Sequence, residues 1–382
     1  MPAAVTSKTH RIKQHLLRQF ADGSLRTGDC LPAESVIAKS LGVGRHSVRQ
    51  ALAELSDAGM VERKQKRGTI VTLENPAIAP VASGKKSGFA LVIPEMRSGV
   101  YPSLIQGFNK GSATFQQQSM VCDTAMDIYR QADVFMQLLS VNVAGIAVVP
   151  PAVPIPDYQV QVLRANQVPL IFCHRRTTTL KAPLVRWCWE DVGRLAAQEL
   201  GQLGHRQIAF IDVVKSATGE SYLRGARNEL RRWGASLPDD NCFYGEHTLA
   251  SAAEAKHLEE VVARLLARSP LPTAVICADD YISEQLYWAA TQANLRVPED
   301  LSIIGFGPTF RDGPIRERLA VVAVDESEIG MQAARMLSEM LDGRRPLDDD
   351  EEITLPVTIL RGKTLAAPSA KSISGDGARK KG

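Results

Sequence analysis

Two arginines four residues apart, Arg45 and Arg49, are the side chains in this sequence best suited to recognising a polyanion. A helix would place them side by side on one face. The planar guanidinium group donates paired hydrogen bonds to guanine O6 and N7, and it also binds phosphate. More basic residues follow along the chain, at Arg63, Lys64, Lys66 and Arg67. The spacing therefore predicts a surface that reads base edges and holds the phosphates of duplex DNA.

The helix that would carry these arginines is marked by its apolar positions. Val48, Ala51, Leu52 and Leu55 recur at i, i+3, i+4 and i+7, so they share one face and are expected to pack inward. This pattern predicts a helix over 45–58 whose polar residues point away from the core. Its N-terminal end is the part that enters the major groove in helix-turn-helix proteins.

Two more helices and a hairpin are predicted around this one. The amphipathic run Lys8–Ala21 and the short run Glu34–Leu41 precede it, and Gly42 and Gly44 supply the tight turn between the second and third helices. The basic segment Glu62–Val71 is predicted to form a small hairpin, like the wing of a winged helix that reaches phosphates or the minor groove. Each charge taken alone is more simply a solvated surface residue, but the combined spacing favours a DNA-binding domain.

The charge of the chain is unevenly divided. Residues 1–71 hold 12 lysines and arginines against 6 acidic residues, a net charge of +6, whereas the remaining residues hold 33 against 36, a net charge of −3. A basic head on a mildly acidic body is typical of a polyanion-binding domain joined to a sensor. From charge alone, a solvated basic surface is an equal alternative.

The run GDCLPAESVIAKSLGVGRHSVRQALAELSDAGMVERKQKRGTIV over 28–71 resembles the GntR-type winged helix, which has a GDxLPSE start, a V-S-R-x-T-V-R-x-A-L core and a closing GxGTxV wing. The resemblance implies that DNA is contacted by Glu34, Arg45, His46, Ser47 and Arg49, and by Arg67, Gly68 and Thr69 of the wing. Ala33 replaces the serine that would cap the second helix, which we expect to cost about 1 kcal/mol of local helix stability. Gly44, His46 and Lys66 also depart from the pattern and are expected to alter which operator is read.

After Gly88 the sequence changes to continuous apolar runs separated by helical stretches. The runs are FALVIP (89–94), VAGIAVVP (143–150), VPLIFC (168–173), QIAFID (207–212), TAVICA (273–278) and LSIIGF (301–306). Buried strands that alternate with helices predict an α/β fold with doubly wound parallel sheets, and the length suits two lobes. The predicted organisation is a winged helix over 1–71, a linker over 72–88, a two-lobed body over 89–365 and a disordered tail over 366–382.

Ligands of open α/β sheets bind beyond the carboxyl ends of the strands, so the residues that follow the predicted strands are candidate binding residues. They are Tyr101, His174, Arg175, Tyr222, Asp279 and Asp280. Aromatic and ionisable groups together suit a small polar ligand. Asp280 is the strongest candidate, because an acidic pair directly after a buried strand is costly unless it faces water or a ligand. Lobe packing is the alternative role for Trp187 and Trp189, and a hinge role is the alternative for His174.

Three segments resemble the LacI/GalR-type effector domain: ELGQLGHRQIAFID (199–212), TAVICADDYISEQLYWAATQANLRVPEDLSIIGFG (273–307) and VVAVDESEIGMQAARML (321–337) followed by ITLPVTILRGKTL (353–365). The resemblance implies two lobes joined by three crossovers, as in periplasmic sugar-binding proteins, and a homodimer. It also implies an effector in the cleft, contacted by Tyr101, His174, Arg175, Trp189, Tyr222 and Asp280. At Gly307, Tyr222, Trp189 and His174 the chain lacks the charged residues common in sugar-binding relatives. A carbohydrate or related metabolite is the expected effector, and head and body together are similar to arabinose-type repressors.

Other function classes are disfavoured. The sequence has no apolar stretch long enough to span a membrane, and its first thirty residues are too charged for a signal peptide, so a cytoplasmic protein is expected. Zinc-type cysteine spacing and the Walker A, HExxH and GxSxG motifs are absent from the sequence, so no metal, cofactor or enzymatic activity is expected. The basic head argues against a solute-binding protein of a transport system, and the lack of a nucleophile argues against a winged helix fused to an enzyme. The prediction is a transcription regulator, acting as a repressor, whose operator affinity depends on a small-molecule effector.

Overall fold

The computed structural model describes residues 8–21, 24–57, 60–64, 67–72, 86–96, 101–151, 155, 157–213, 215, 217–245, 253–308, 315 and 318–369. Lys66 of the predicted wing, most of the predicted linker and residues 370–382 of the predicted tail lie outside these ranges. The chain divides into two compact units. Unit 1 comprises Met1–Arg97, Leu104–Arg186 and Ser327–Ile353, and unit 2 comprises Ser98–Ser103, Trp187–Glu326 and Thr354–Gly382.

Unit 1 begins with the three helices and hairpin that the sequence predicts, here called the head (residues 8–72). The elements are α1 (Lys8–Ala21), α2 (Glu34–Leu41), α3 (Arg45–Asp57), β1 (Val61–Lys64) and β2 (Gly68–Val71). β1 and β2 pair antiparallel, with Arg63 opposite Thr69. The apolar face of α3 is buried as predicted, because Val48 and Ala51 are fully covered and Leu55 nearly so. The head is therefore a winged helix-turn-helix.

The turn between α2 and α3 depends on Gly42. This residue has a φ of 63°, a left-handed conformation that glycine adopts without strain. Its backbone N–H donates to the carbonyl oxygens of Ala38 and Lys39, which closes the end of α2. At the start of α2, Ala33 makes no side-chain cap hydrogen bond, as expected from alanine at this position.

The remaining elements form the body, which spans the rest of unit 1 and all of unit 2. In chain order they are β3 (Ser87–Ile93), α4 (Tyr101–Thr114), β4 (Ser119–Asp123), α5 (Ile128–Ser140), β5 (Val143–Val148), α6 (Asp157–Ala165), β6 (Leu170–Cys173), β7 (Leu184–Trp187), α7 (Trp189–Gln202), β8 (Ile208–Asp212), α8 (Ala217–Arg232), β9 (Cys242–Tyr244), α9 (Ala253–Leu266), β10 (Ala274–Cys277), α10 (Asp280–Gln292), β11 (Ser302–Pro308), β12 (Ala320–Val324), α11 (Glu326–Leu341), β13 (Glu352–Leu355) and β14 (Val357–Leu360).

Each unit contains one six-stranded sheet. The strand order is β13-β7-β6-β5-β3-β4 in unit 1 and β14-β12-β11-β10-β8-β9 in unit 2. The strands from β3 to β7 pair in parallel, as do those from β8 to β12, while β14 runs antiparallel. The winding direction reverses between β3 and β5 and again between β8 and β10. These are the predicted doubly wound sheets, and ligands of such sheets bind at the carboxyl ends of the strands where the winding reverses.

In unit 2, helices α7 and α8 pack backbone against backbone. A Cβ atom on Gly193 of α7 would overlap the carbonyl oxygen of Tyr222, and a Cβ atom on Gly225 of α8 would overlap that of Glu190. Glycine at both positions permits this close approach. The contact helps to position Tyr222, whose ring packs on Phe210 of β8 with the ring centroids 5.6 Å apart.

Candidate functional site

The head presents polar residues at the N-terminal end of α3. Arg45, His46 and Arg49 are exposed and Ser47 is partly buried, whereas Val48 beneath them is fully buried. A recognition helix offers side chains to the major groove in this way.

Glu34, in the first turn of α2, lies between two arginines of this surface. Its Oε2 atom is 3.2 Å from Nη2 of Arg49, and its Oε1 atom is 3.7 Å from Nη2 of Arg63. The Glu34 side chain is mostly buried, whereas both arginine side chains are largely exposed. Because a carboxylate repels phosphate, this geometry supports a positioning role for Glu34, which holds Arg49 and Arg63 near each other. Arg63 is not among the positions implied by the family resemblance.

The tip of the hairpin carries the three predicted wing residues. Arg67 and Gly68 are exposed, and Thr69 is partly buried. The Sγ atom of Cys30 donates to the carbonyl oxygen of Arg67 at 3.0 Å, and the N–H of Leu31 donates to the carbonyl oxygen of Thr69 at 2.8 Å. These bonds attach the basic tip of the wing to the segment that leads into α2.

Within unit 1, the head contacts the body through Lys13 of α1. The Lys13 Nζ atom lies 2.8 Å from Oε2 of Glu54 in α3 and 3.5 Å from Oδ1 of Asp133 in α5. Burial disfavours the charged amine, but the hydrogen bond to Glu54 and the charge of Asp133 outweigh burial and raise the pKa of Lys13. Met136 of α5 also packs against the apolar core of the head. One ammonium group thus joins the recognition helix to the body.

In the body, His174 and Arg175 follow the carboxyl end of β6, where the sequence predicts them. His174 is buried, and its N–H donates to the carbonyl oxygen of Val185 at 2.8 Å. Its φ of 65° is uncommon for a residue other than glycine, and such conformations concentrate at functional sites. Arg175 is partly buried, and Tyr101, at the start of α4, is buried.

In unit 2 three aromatic rings form a cluster near the start of α7. The ring centroids of Trp187 and Trp189 are 5.1 Å apart in an edge-to-face arrangement, and those of Trp189 and Phe306 are 5.0 Å apart. Trp187 is buried, as expected for a packing role, whereas Trp189 is partly exposed. Sequence reasoning missed Phe306, because it lies inside a continuous apolar run.

The two aspartates after β10, Asp279 and Asp280, make different contacts. Asp279 caps α10, because its Oδ1 atom accepts a hydrogen bond from the N–H of Ile282 at 2.7 Å. Asp280 is the first residue of α10 and is buried. A Cβ atom on Gly307 of β11 would lie 3.2 Å from Cβ of Asp280, so the two residues are neighbours.

A third carboxylate, that of Asp212, lies at the same end of the sheet. β8 and β10 are adjacent and parallel, with Cys277 opposite Ile211, so Asp212 at the end of β8 lies next to the residues that follow β10. Tyr222 of α8 completes the group. Its side chain is buried, and its hydroxyl has no hydrogen-bond partner within the described ranges. Asp212 was not predicted as a site residue, because its proximity to Asp279 depends on strand order.

These groups lie in a strongly negative environment. Burial raises the pKa of Asp279 to about 7; the charges of Asp212 and Asp280 add to this effect, and the hydrogen bond from the N–H of Ile282 opposes it. Burial also raises the pKa of Tyr222 well above its ordinary value, with further contributions from nearby acidic groups including Asp212 and Asp279. The site therefore disfavours additional negative charge.

We expect Asp279→Asn to stabilise the protein above about pH 7 and to change its stability little near pH 4. The folded-state pKa of Asp279 is about 7, whereas its ordinary value is 3.8. The protonated acid thus favours folding fully below about pH 4, and this contribution is lost as the pH rises through about 7. Asparagine retains a cap acceptor without the charge.

The measurement is the Tm of wild type and variant from pH 4 to pH 8.5, with Glu259→Gln on the exposed side of α9 as the control. A difference between wild type and Asp279→Asn that does not change with pH would contradict the prediction.

Across the described ranges, no group of three or more histidine, cysteine, aspartate or glutamate side chains is arranged to hold a metal ion. In that same part of the chain, no helix combines the length and the apolar character needed to cross a membrane. The six cysteines are thiols: Cys173 and Cys277 are buried, Cys30 is exposed and the other three are partly buried.

Two protein families match this chain. Residues 8–71 match the bacterial regulatory proteins of the gntR family, and residues 197–365 match the periplasmic binding protein-like domain.

Curated relatives span both head and body. The chain is similar to the arabinose metabolism transcriptional repressor of Halalkalibacterium halodurans, with 24% identity over 378 residues that cover 96% of this chain and 99% of the relative. It is also similar to the protein of the same name from Geobacillus stearothermophilus, with 26% identity over 362 residues that cover 93% of this chain and 96% of the relative. Among solved structures, a LacI family transcriptional regulator from Enterococcus faecium with bound ribose has a TM-score of 0.61 and 20% identity, and the match covers 74% of this chain and 99% of that one.

Proposed function

We propose that the protein is a repressor whose operator affinity is set by a small-molecule effector. The chain joins a gntR-type DNA-binding head to a periplasmic-binding-protein-like, ligand-binding body, and it is therefore a DNA-binding transcription regulator. The observation that carries this proposal is the exposure of Arg45 and Arg49 at the N-terminal end of α3, in a head that shares its chain with two doubly wound sheets. Effector and DNA then influence each other's binding reciprocally.

The DNA contacts are assigned to the exposed surface of the head. The proposed residues are Arg45, His46, Ser47 and Arg49 of α3, Arg67, Gly68 and Thr69 of the wing, and Glu34, which acts by positioning Arg49. Supporting this assignment, the apolar residues of α3 are buried on the opposite face, so the arginines are available to base edges.

The effector is proposed to be a carbohydrate or a related metabolite. The named relatives are repressors of arabinose metabolism, and the Enterococcus regulator holds ribose. The proposed contacts are Tyr101, His174, Arg175, Trp189, Tyr222 and Asp280. In unit 2, the partly exposed ring of Trp189 offers a stacking surface and Asp280 offers hydrogen-bond acceptors, which together suit a small polar ring.

The protein is further proposed to act in the cytoplasm as a homodimer. Tyr281 and Trp288 of α10 are 42% and 46% exposed, which is unusual for large aromatic side chains. They are seven residues apart and therefore share one helix face. A second copy of the same face would cover these rings in a two-fold contact.

The test begins with the selection of duplexes from a random-sequence library by the purified protein. We expect an enriched inverted repeat that binds about a thousandfold more tightly than random duplex at equal salt. A protein that lacks residues 1–72 should bind neither duplex while still showing a rise in Tm with an effector. Failure to enrich any duplex, or loss of the effector response together with the head, would contradict the proposal.

A further inference from the structure

We propose that the carboxyl edge of the unit 2 sheet binds a positively charged nitrogen, so that the effector is a small polar molecule bearing an amine. This inference rests on the proposed function in one respect, since it requires an effector at this edge. It goes further by naming the charge of the group that the edge recognises.

The proposed site lies where the winding of the unit 2 sheet reverses, between β8 and β10. β8 ends at Asp212, and β10 is followed directly by Asp279 and Asp280. The N–H of Ala278 donates to the carbonyl oxygen of Ile211 at 3.0 Å, which holds the two strand ends side by side. Three aspartates that end or follow two adjacent strands therefore lie at the edge of the sheet where ligands of doubly wound sheets bind.

A second observation points to a ligand at the same place. The side chain of Tyr222 is 2% exposed, and within the described ranges its hydroxyl has no hydrogen-bond partner. Asp212, Asp279 and Cys277 are the charged or titratable groups that act most strongly on this hydroxyl. Buried hydroxyl groups nearly always have a partner, so this one is available to a ligand that reaches the acidic group.

The charge balance favours a cation over a neutral molecule. Burial and the charges of Asp212 and Asp280 disfavour the ionised form of Asp279. Hydrogen bonds from the N–H groups of Ile282 and Tyr281 compensate only in part. Burial also raises the pKa of the Cys277 thiol; a hydrogen bond with Ser283 opposes this effect, and the charge of Asp279 adds to it. An ammonium group bound beside Asp279 would favour its ionised form, whereas the hydroxyl groups of a neutral sugar supply no positive charge.

The side chains at this edge offer the hydrogen-bond acceptors that an ammonium group requires. An alkylammonium has three N–H donors and no acceptor, which suits two carboxylates and one phenol oxygen. A metal ion is a poorer occupant, because the described residues offer no group of three His, Cys, Asp or Glu side chains arranged around one ion. In the neighbouring strand β9, burial raises the pKa of Tyr244, and the charges of Cys242 and then Asp212 add to this effect.

The experiment compares probes that differ only in an amine and a hydroxyl. The pairs are D-glucosamine with D-glucose, D-galactosamine with D-galactose, and putrescine with 1,4-butanediol, at equal concentration and ionic strength. The Tm of the full-length protein is measured with each probe, and calorimetry gives the Kd of any probe that raises it. We expect at least one amine to stabilise the protein more than its hydroxyl partner. If none does, or if the hydroxyl partners stabilise equally, the proposal is overturned.

Two variants test the assigned residues. Asp212→Asn and Asp279→Asn should each weaken binding of the stabilising amine by about tenfold or more, the effect of losing a charged hydrogen bond. Asparagine preserves the cap at Asp279, and Tyr222→Phe provides a third variant that removes one oxygen. Glu259→Gln, on the exposed side of α9, is the matched control and should leave Kd unchanged. Unchanged amine affinity in both aspartate variants would overturn the proposal.

The pH dependence gives a separate readout. The readout uses putrescine, because its alkylammonium groups stay protonated from pH 6 to 8. Binding requires ionised Asp279, so the affinity should rise over this range, through the Asp279 pKa of about 7. Failure of this inference is distinguishable from failure of the proposed function. A neutral sugar that stabilises the protein and alters operator binding contradicts the amine while leaving the regulator in place; absence of specific DNA binding contradicts the regulator.

Discussion

Replacing Arg45 or Arg49 with alanine is expected to weaken binding to the selected operator by about 10- to 100-fold while affecting random duplex far less. Both guanidinium groups are exposed at the N-terminal end of α3. A bidentate contact with a base edge contributes about 1–3 kcal/mol of discrimination, and arginine provides the geometry for it. The measurement is the Kd for operator and for random duplex at one salt concentration, by mobility shift.

Lys39→Ala is the matched control for these variants. Lys39 is an exposed basic residue in the last turn of α2, so the variant removes the same charge from the same head. We expect it to lower affinity slightly and equally for both duplexes, since a general electrostatic contribution is independent of sequence. If the arginine variants also lost equal affinity for operator and random DNA, the arginines would contact phosphates only and the assigned base readout would be wrong.

Replacing Gly193 or Gly225 with alanine is expected to lower the free energy of unfolding by about 1–3 kcal/mol each, from overpacking. Alanine normally stabilises a helix relative to glycine by about 1 kcal/mol, so the sign of the change is informative. Here the new methyl group would overlap a backbone oxygen of the facing helix, and backbone atoms yield less readily than a flexible side chain. Steric overlap should therefore exceed the gain in helix propensity.

Denaturant unfolding of the variants, followed by circular dichroism, measures this effect. Gly44→Ala in the head is the control, because a Cβ atom there meets nothing within 4 Å and the backbone is not in the left-handed region. We expect it to change stability by less than about 0.5 kcal/mol, the usual range for surface substitutions. Stabilisation by Gly193→Ala would show that α7 and α8 do not approach as closely as described.

The head was predictable from sequence because its signals are local. The recurrence of Val48, Ala51 and Leu55 at helical spacing defines the buried face of α3, and Gly42 marks the end of α2. The ion pairs of Glu34 with Arg49 and Arg63 were not predicted, since they join side chains from α2, α3 and β1. Such contacts depend on how three elements pack, which periodicity does not encode.

The body was predictable only in part. Continuous apolar runs identified β3, β5, β6, β8, β10 and β11, which are covered on both faces. The same criterion missed β4 (Ser119–Asp123) and β9 (Cys242–Tyr244), which are edge strands with partly exposed positions. It also missed two interior strands, β7 (Leu184–Trp187) and β12 (Ala320–Val324), although their positions are mostly buried. Continuous apolar runs thus identify most of the central strands and none of the edge strands.

The strand-end rule indicates single residues but not the group they form. It identified Tyr222 and Asp280, and both lie at the carboxyl side of the unit 2 sheet. It did not predict that Asp212 would stand beside Asp279, or that Asp279 would cap α10. The first depends on the adjacency of β8 and β10, and the second on where α10 begins.

The Nζ atom of Lys13 contacts two acids at once, Glu54 in α3 and Asp133 in α5 of the body. Because both contacts use the same amine, a shift of the amine towards one acid lengthens its distance to the other. A displacement of α5 away from α3 would break the contact with Asp133 and leave Lys13 paired with Glu54. A displacement of Lys13 together with α3 would lengthen the contact with Asp133 in the same way. The two contacts of Lys13 therefore form a short electrostatic path between α3 and α5 that is separate from the covalent connection. By thermodynamic reciprocity, this path operates in both directions.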